Sequence, residues 1–457
     1  MTRMAAVSPA RKIAYQVLLA VERGQSHSDE LLRGKQVNAL SAADRNLATT
    51  LVLGVLRWQI RLDKQIKSLL KKPGARIDTE VLISLRLGAF QLLHLDRIPA
   101  RAAIDESVEL AKQAGHRFAS GMVNAVLRKL SNIPRTEFEQ RTAAELAVSQ
   151  AHPQWMVERW ANIYGLQEAC AICCHGQAQP ELTVRISAPE VEAELAAEGV
   201  QLKPAALLTL ARTVVAGDVM ATTSFSEKRV RIQDEGSQLV GEIAAFAGTE
   251  YGRAANILDL CAAPGGKTLI LIERNPKAHV IACEASEQRL AELEHRLANF
   301  AGRVECRLAD ATKLTDRASF DLVLADVPCS GTGTLGRNPE IRHRLHAEDL
   351  PRQAERQRAI LSSAMRAVRP RGRVVYATCS LEPEENEQVI ASVLAENQNV
   401  RQLPILPCID GMTQSGVLTS DGAKQLRECV SPEGALRLLP DLFGTDGFFV
   451  ALLEARD

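Results

Sequence analysis

Short apolar runs alternate with longer amphipathic stretches from Asn256 onward, and this rhythm constrains the fold more than any other feature. The runs NILDLCA, HVIACEA, FDLVLADV and GRVVYAT have the length of buried strands, and GFFVALLEA adds a last one. Helical patterns at 267–274, 286–300, 352–368 and 384–396 separate these runs. Such alternation predicts a mostly parallel sheet with helices on both faces. Ligands bind these sheets beyond the carboxyl ends of the strands, so a site is expected in the loops there.

The rest of the 457-residue chain has different patterns, which predicts a multidomain protein. Apolar residues recur at helical spacing through the first 130 residues, as in ATTLVLGVLRW. After a polar connector, WMVERWANIYGLQEACAICC is typical of a helix and ELTVRIS of a strand. We therefore expect an all-α domain at 1–135, a small α+β module at 145–228 and an α/β domain at 229–457.

Charge is distributed unevenly, although the whole chain has a formal net charge of zero. Residues 1–150 hold 23 Lys and Arg against 14 Asp and Glu, and the remainder holds 32 against 41. A basic N-terminal third favours a phosphate-rich partner, but a solvated helical surface would have the same charge. Charge alone does not separate these two interpretations.

The composition is that of a globular protein, and no apolar run is long enough to span a bilayer. The first residues are too polar for a signal peptide, so a cytoplasmic location is expected. Ten cysteines in such a chain do not predict a disulfide framework. Cys170, Cys173, Cys174 and His175 contain one CxxC half-site within an apolar helical pattern, so we predict buried thiols there and no metal site.

The segment LDLCAAPGGKT joins the first strand of the alternating region to a helix and predicts a ligand-binding loop. Its side chains are small, so a ligand can approach the backbone, and the amides at the helix start favour an anionic group. Gly266, Lys267 and Thr268 match the end of a phosphate-binding P-loop. Cys261, however, stands where that motif needs glycine, and Pro264 removes an amide. The loop consists of Cys261, Ala262, Ala263, Pro264, Gly265, Gly266 and Lys267.

Acidic residues follow the next two strands of the alternating region. Glu284 ends the second strand, where an acid suits a ribose diol. Asp310 lies at the end of a further strand, the third, between the runs HVIACEA and FDLVLADV, where it could meet an adenine amino group. Together with the small-residue loop, these acids favour an adenosyl cofactor without phosphates.

Two cysteines stand in small-residue turns after the fourth and fifth strands, in ADVPCSGTG and YATCSLEPEENE. A thiolate there could attack C6 of a cytosine, which makes C5 nucleophilic enough to accept a methyl group. Asp326 is placed to hold the ring, and a second thiol could assist release. Spacing alone does not say whether Cys329 or Cys379 attacks, and DNA cytosine methyltransferases use a Pro–Cys, which would nominate Cys329.

The segments LDLCAAPGGKT, ADVPCSGTGTLGRNPEIR and YATCSLEPEENE resemble the motifs of the NOL1/NOP2/Sun family of RNA cytosine-5 methyltransferases. The N-terminal segments LVLGVLRW, LRLGAFQLL, RIPARAAIDESVELAK and ASGMVNAVLRKL are similar to a NusB-like RNA-binding domain. The resemblance covers nearly the whole chain, although its middle module has weaker signals. It implies a class I, Rossmann-like methyltransferase domain that follows two RNA-binding parts.

The resemblance also implies S-adenosylmethionine as cofactor and assigns roles to residues. The loop from Cys261 to Lys267 would bind the cofactor, Glu284 its ribose and Asp310 its adenine edge. Asp326 would be the active-site acid, which lies at the cofactor and orients the cytosine. In this family the cysteine of the T-C-S motif attacks, which implies Cys379 as nucleophile and Cys329 in product release. Glu284 stands where many relatives have Asp, and the longer acid should still reach a diol.

The partner implied by the resemblance is RNA, with 16S ribosomal RNA as the expected target. We expect a monomer without DNA or membrane partners. One alternative is a methyltransferase that acts on tRNA or another RNA, since the substrate-reading residues before 230 are poorly diagnostic. Another is a non-catalytic RNA-binding or antitermination factor, although such a protein needs neither the small-residue loop nor two strand-end cysteines.

Overall fold

A computed structural model describes residues 7–72, 74, 76–133, 141–249 and 256–456. Its contacts divide the chain into two compact units. The first unit runs to Gln179 and also includes Leu335–Arg344. The second unit contains Pro180–Thr334 and the chain from Leu345 onward.

The first unit is helical, which confirms the all-α prediction for the N-terminal region. Its core is built from the apolar faces that the sequence pattern indicates, including Leu51, Val55 and Leu127. The backbone amide of Asp44 donates to Ser41 Oγ at 3.2 Å and caps the longest of these helices. No helix in the described ranges is long and apolar enough to cross a membrane. The helices up to Gln177 are α1 (Pro9–Glu22), α2 (Ser28–Leu32), α3 (Lys35–Asn38), α4 (Ala42–Ser68), α5 (Thr79–His94), α6 (Ala100–Gln113), α7 (Ser120–Leu130), α8 (Ala143–Ser149), α9 (Gln154–Tyr164) and α10 (Leu166–Gln177).

The second unit begins with a small α+β module, as the sequence predicts, although the predicted range 145–228 also includes helices that belong to the first unit. Four antiparallel strands form a sheet in the order β2-β3-β1-β4, and Val184 and Ile186 of β1 are buried. The predicted strand ELTVRIS is thus confirmed as β1. The elements are β1 (Thr183–Ile186), α11 (Glu190–Ala197), β2 (Gln201–Pro204), β3 (Ala211–Ala216), α12 (Thr223–Ser226) and β4 (Val230–Ile232).

The larger sheet of the second unit has eight strands and confirms the mostly parallel α/β prediction. Seven strands lie in the order β10-β12-β9-β8-β5-β6-β7, and β11 pairs with β12. The elements from residue 235 onward are α13 (Glu235–Thr249), β5 (Asn256–Asp259), α14 (Gly266–Arg274), β6 (His279–Glu284), α15 (Glu287–Leu297), β7 (Val304–Leu308), β8 (Phe320–Asp326), α16 (Ile341–Arg344), α17 (Asp349–Ala367), β9 (Val368–Thr378), α18 (Glu387–Glu396), β10 (Val400–Leu403), α19 (Leu406–Gln414), α20 (Ser420–Glu428), β11 (Leu436–Leu438) and β12 (Phe448–Ala455).

Strands β7, β6, β5, β8 and β9 are parallel neighbours, whereas β12 pairs antiparallel with β9, β10 and β11. The central parallel strands are buried on both faces because helices cover both, and β8 is buried over most of its length, whereas the edge strand β7 is partly exposed. Their carboxyl ends lie along one edge of the sheet. All the loops that the sequence analysis singled out leave from this edge.

A buried ion-pair cluster joins the small module to the helices of the larger sheet. The Glu242 carboxylate of α13 lies 2.7 Å from the Arg185 guanidinium of β1. Arg274 of α14 donates two hydrogen bonds to the same carboxylate, at 2.7 and 2.8 Å. Glu242 is fully buried and Arg185 nearly so, hence each charge depends on its partner.

One segment that the sequence boundaries place in the α/β domain, Leu335–Arg344, packs inside the helical unit instead. The Arg342 guanidinium donates to the carbonyl oxygens of Arg57 at 3.0 Å and Gly176 at 2.7 Å. Arg57 in turn donates to the Gly336 carbonyl at 2.7 Å. Desolvation lowers the pKa of the buried Arg342 to about 9. The segment immediately follows the Cys329 loop in sequence. Its place among the helices therefore results from long-range packing and not from its sequence neighbours.

Candidate active site

The small-residue loop after β5 is held tightly against the neighbouring strands. The Leu260 amide donates to the Leu324 carbonyl, and the Ala262 amide donates to the Cys283 carbonyl, both at 2.9 Å. Gly265 has φ +95°, which L side chains rarely adopt, and helix α14 begins at the next residue. A Cβ on Gly265 would lie 2.9 Å from Leu293 Cδ1. Only glycine therefore suits this turn.

Asp259, at the end of β5, is an acid of this loop that the sequence analysis missed. One of its oxygens accepts a hydrogen bond from Thr268 Oγ1 at 2.7 Å, which links the strand end to the first turn of α14. Its other oxygen, Oδ1, is buried without a hydrogen-bond partner in the described part of the chain. Desolvation raises the pKa of Asp259 to about 7. A buried oxygen without a donor beside a small-residue loop fits a cofactor that presents a polar hydrogen there.

The two acids predicted to bind the nucleoside lie on neighbouring strands. Glu284 is buried at the end of β6 and accepts from the amides of Ala285 at 2.9 Å and Ser286 at 3.0 Å. Its other oxygen pairs with the half-exposed Arg289 at 2.9 Å. Asp310 is more exposed, and the Thr312 hydroxyl and amide donate to it and lower its pKa. Both carboxyls are thus fixed in orientation by local hydrogen bonds.

Lys267, which the sequence analysis assigned to the cofactor loop, points to the predicted active-site acid. Its Nζ lies 2.8 Å from Asp326 Oδ2 and 5.7 Å from the centre of the Phe448 ring. Burial by itself lowers the pKa of Lys267, but the Asp326 carboxylate, with Cys379 and Asp259, raises it above its usual value. The ammonium group therefore remains charged beside the Asp326 carboxylate and the sulfur of Cys379.

The two predicted active-site cysteines meet, although 50 residues separate them. Their Sγ atoms are 3.2 Å apart. A hydrogen bond with Cys379, together with burial, raises the pKa of Cys329 well above its usual range. Cys329 thus keeps its proton near neutral pH and can donate it in a hydrogen bond to the sulfur of Cys379. A third cysteine at this edge, Cys261, has the pKa of its thiol raised by burial and by the nearby carboxylates of Asp259, Asp326 and Glu284, which leaves it unreactive.

A fully buried carboxyl group, that of Glu385, connects the loops of the two cysteines. Its Oε1 accepts from the Ser330 amide and from Gln357 Nε2, both at 2.8 Å. Its Oε2 accepts from the hydroxyls of Ser330 and Ser380, the residues that follow the two cysteines. Gln357 also donates to the Pro328 carbonyl at 2.9 Å. One side chain therefore sets the separation of the two turns.

The backbone of Gly333 also joins the two cysteine loops. Its amide donates to the Cys379 carbonyl at 2.9 Å, and its carbonyl accepts from the Gly447 amide at 2.8 Å. A Cβ at Gly333 would lie 2.5 Å from the Gly447 oxygen and 2.9 Å from that of Cys379. Neither Gly333 nor Glu385 was predicted from the sequence. The PEEN run after the T-C-S motif contains Glu385 and was the available signal, since acids and amides in a turn often form hydrogen bonds with neighbouring backbone.

The chain resembles known proteins over its whole length. Residues 250–454 match the family described as 16S rRNA methyltransferase RsmB/F, residues 8–132 match the NusB family, and residues 152–214 match the RsmF/B-like ferredoxin-like domain. The probable ribosomal RNA small subunit methyltransferase B of Bacillus subtilis is 32% identical, and the alignment covers 98% of each chain. The ribosomal RNA small subunit methyltransferase B of Pseudomonas putida is 31% identical over 97% of this chain and 98% of its own.

A solved structure has the same fold. The crystal structure of PH0851 superimposes with a TM-score of 0.78 at 23% identity, covering 99% of this chain and all of that one. The full-length identity to curated relatives, the three domain matches and the strand-edge site agree on one family. The chain belongs to the RsmB/F family of S-adenosylmethionine-dependent RNA methyltransferases.

Proposed function

We propose that this enzyme methylates carbon 5 of a cytosine in 16S ribosomal RNA through a covalent bond between Cys379 and C6 of the base. The observation that carries the proposal is the 3.2 Å separation of the Cys329 and Cys379 sulfurs. Two thiols at this distance, next to an ion-paired acid, suit a reaction that needs both a nucleophile and a group to assist its departure. The relatives' names, which specify the ribosomal small subunit, support the choice of RNA.

Cofactor binding would use the loop from Cys261 to Lys267 and the acids on the two neighbouring strands. S-adenosylmethionine supplies the electrophilic methyl group when bound. The small side chains of the loop let the cofactor approach the backbone, and Glu284 would accept hydrogen bonds from the ribose diol. Asp310 would meet the adenine edge. The buried Oδ1 of Asp259 would accept a hydrogen bond from the bound cofactor.

Cys379 is the nucleophile in this proposal because it is the cysteine of the T-C-S motif, which attacks in the family that the sequence resembles. The Lys267 ammonium interacts electrostatically with Cys379, and the Cys329 thiol can donate a hydrogen bond to it. Asp326, at the end of β8, would hold the cytosine ring at N3 and the exocyclic amine. Attack at C6 makes C5 electron-rich enough to accept a methyl group, and loss of the C5 proton then allows the sulfur to leave.

Cys329 assists the last step as a hydrogen-bond donor. A departing thiolate is stabilised by a donor within reach, and the Cys329 thiol retains its proton because of the hydrogen bond and its burial. Without this donor, the bond between Cys379 and C6 should persist. This assignment gives the two cysteines distinct and separable roles.

The N-terminal region would supply part of the RNA affinity, together with the middle module. Residues 1–150 contain nine more basic than acidic residues, 23 against 14. Contacts between cations and phosphates release counterions, so binding should weaken steeply with added salt. We infer that the enzyme acts as a monomer in the cytoplasm without DNA or membrane partners.

A methylation assay with mapping tests the proposal. The purified enzyme, labelled S-adenosylmethionine and unmodified 16S ribosomal RNA should yield 5-methylcytosine at a discrete position, read by mass analysis of nuclease fragments. Cys379→Ala, which keeps the fold and the cofactor loop, is the control and should yield none. Modification of transfer RNA in place of 16S RNA, or tight RNA binding without any methyl transfer, would contradict the proposal.

A further inference from the structure

The helical unit contains an apolar groove that lies outside the site described above. It lies where the end of α4 and the start of α5 meet α7, and its volume is about 460 Å³. This size falls in the range of small-ligand pockets. The groove is lined by Leu69, Leu70, Ile77, Val81, Met122 and Val126.

Four exposed cations surround this groove. Lys71 and Lys72 follow α4, Arg76 precedes α5, and Lys129 lies near the end of α7. None of the four has an acidic partner within ion-pair distance among the residues that the structure describes. Asp78 is the acid among the lining residues, and its Oδ2 lies 3.3 Å from His116 Nδ1. Four cations thus stand against one carboxylate, so the rim is positive and its charges are available to a ligand.

Phe118, which also lines the groove, is 80% exposed, the largest exposed fraction among the large apolar side chains of the described residues. Its ring lies edge-on to that of His116, with centroids 5.6 Å apart. Aromatic rings beside cations are the common platform for unpaired bases. The apolar floor, the ring and the cations thus suit a ligand that is both flat and polyanionic.

We propose that this groove binds an unpaired stretch of the RNA substrate, with a base against Phe118 and the flanking phosphates on the lysines and Arg76. The proposal rests on the proposed function, since it takes the substrate to be RNA. The positive rim suits either RNA or an acidic peptide. The exposed ring favours RNA, because an acidic peptide offers no base to stack on it.

Gly121 allows the groove to be filled without changing its charge. It lines the groove in the first turn of α7, and a Cβ built there has no neighbour within 4 Å. Gly121→Leu should therefore fold normally, since leucine also favours the helix, and should obstruct the groove. We expect fivefold or greater loss of affinity for a 16S RNA transcript. Gly121→Ala, which adds only one carbon, is the matched control and should bind like the wild type.

Two more variants separate stacking from charge. Phe118→Ala should weaken binding by about 5- to 150-fold, the usual effect of removing one stacking ring. Lys71→Gln combined with Lys72→Gln should lower the slope of log affinity against log salt by about 1.4, or about 0.7 for each phosphate contact. Affinity for S-adenosylmethionine, measured by calorimetry, should be unchanged in all these full-length variants.

Competition distinguishes the possible occupants. Single-stranded RNA should displace the labelled transcript from the wild type, and polyglutamate of equal charge should not. The proposal for the groove would be overturned if polyglutamate competed equally well, or if Gly121→Leu and Phe118→Ala both bound RNA with wild-type affinity. Neither result would contradict the proposed methylation. Failure of the proposed function has a different signature, since the wild type would then bind RNA in these assays without transferring methyl groups.

Discussion

Removing the Glu385 carboxyl should separate the two active-site thiols. Glu385→Ala takes away the acceptor of four hydrogen bonds, two from Ser330 and one each from Ser380 and Gln357. The two hydroxyls can still bond to each other, since their oxygens are 3.0 Å apart. The Ser330 amide and one Gln357 N–H would remain buried without acceptors.

The structure gives the size of this effect. Each buried donor left without an acceptor costs about 1–3 kcal/mol. With two such donors, Glu385→Ala should lower the free energy of unfolding of the second unit by roughly 2–6 kcal/mol. That corresponds to a lowering of its melting temperature by roughly 5–20 °C. Glu385→Gln keeps one carbonyl oxygen for the Ser330 amide and Gln357, so it should cost less, about 2 kcal/mol or below. Glu396→Ala removes an exposed acid paired with Arg358 and serves as control, at about 0.5 kcal/mol.

Loss of the Glu385 carboxyl should mainly change the position of Cys329. Cys379 follows strand β9 directly, and its carbonyl also accepts from the Gly333 amide. The Cys329 turn depends more on Glu385, through Ser330, and on Gln357, through the Pro328 carbonyl. Loss of the carboxyl should therefore move the thiol that assists release, while the nucleophile stays in place.

The assay is denaturing electrophoresis of enzyme incubated with RNA and S-adenosylmethionine, at a temperature below the melting transition of the variant. Glu385→Ala should accumulate a covalent protein–RNA species, and Glu385→Gln should accumulate less. General loss of folding would give neither product nor adduct, so the adduct distinguishes misplacement of the thiol from unfolding. The reasoning is refuted if a folded Glu385→Ala enzyme releases methylated RNA at the wild-type rate without an adduct.

Three further predictions follow from the same geometry. Cys329→Ala should trap RNA on the enzyme and Cys379→Ala should form no adduct, as judged by electrophoresis; the reverse pattern would make Cys329 the nucleophile. Gly265→Val should abolish S-adenosylmethionine binding in calorimetry, because valine is strained at φ +95° and its Cβ would meet Leu293; unchanged affinity in the folded protein would mean that the loop is misassigned. Glu242→Gln should lower the free energy of unfolding by about 1–3 kcal/mol in denaturant melts, because the buried Arg185 then keeps only the Glu273 carboxylate, at 3.4 Å, as its counter-charge; a loss below about 1 kcal/mol would contradict this.

Features that depend on a few consecutive residues were predictable from the sequence. The period of apolar residues separated the helical region from the alternating one, and the strands β1, β5, β6, β8 and β12 lie within the runs identified, whereas β9 begins four residues before its run. Small residues and acids at strand ends could be placed on one sheet edge because parallel strands end there together. The resemblance to a family then gave S-adenosylmethionine and the roles of the cysteines.

Features that depend on contacts between distant segments were not predictable. The pattern shows two cysteine turns but not their 3.2 Å separation, which Glu385 and Gly333 impose. Lys267 follows two glycines of the cofactor loop, yet its side chain pairs with Asp326 of another strand.

The sequence by itself therefore determined which chemical groups stand at the sheet edge, because strand period and turn composition are local properties of the chain. Only the tertiary structure decided which of these groups touch, and it alone placed Leu335–Arg344 among the helices. The physical reason is that the hydrogen-bond partners of a buried carboxyl or guanidinium group come from segments that are distant in sequence. Its hydrogen bonds are specified by long-range packing, which a one-dimensional pattern does not contain.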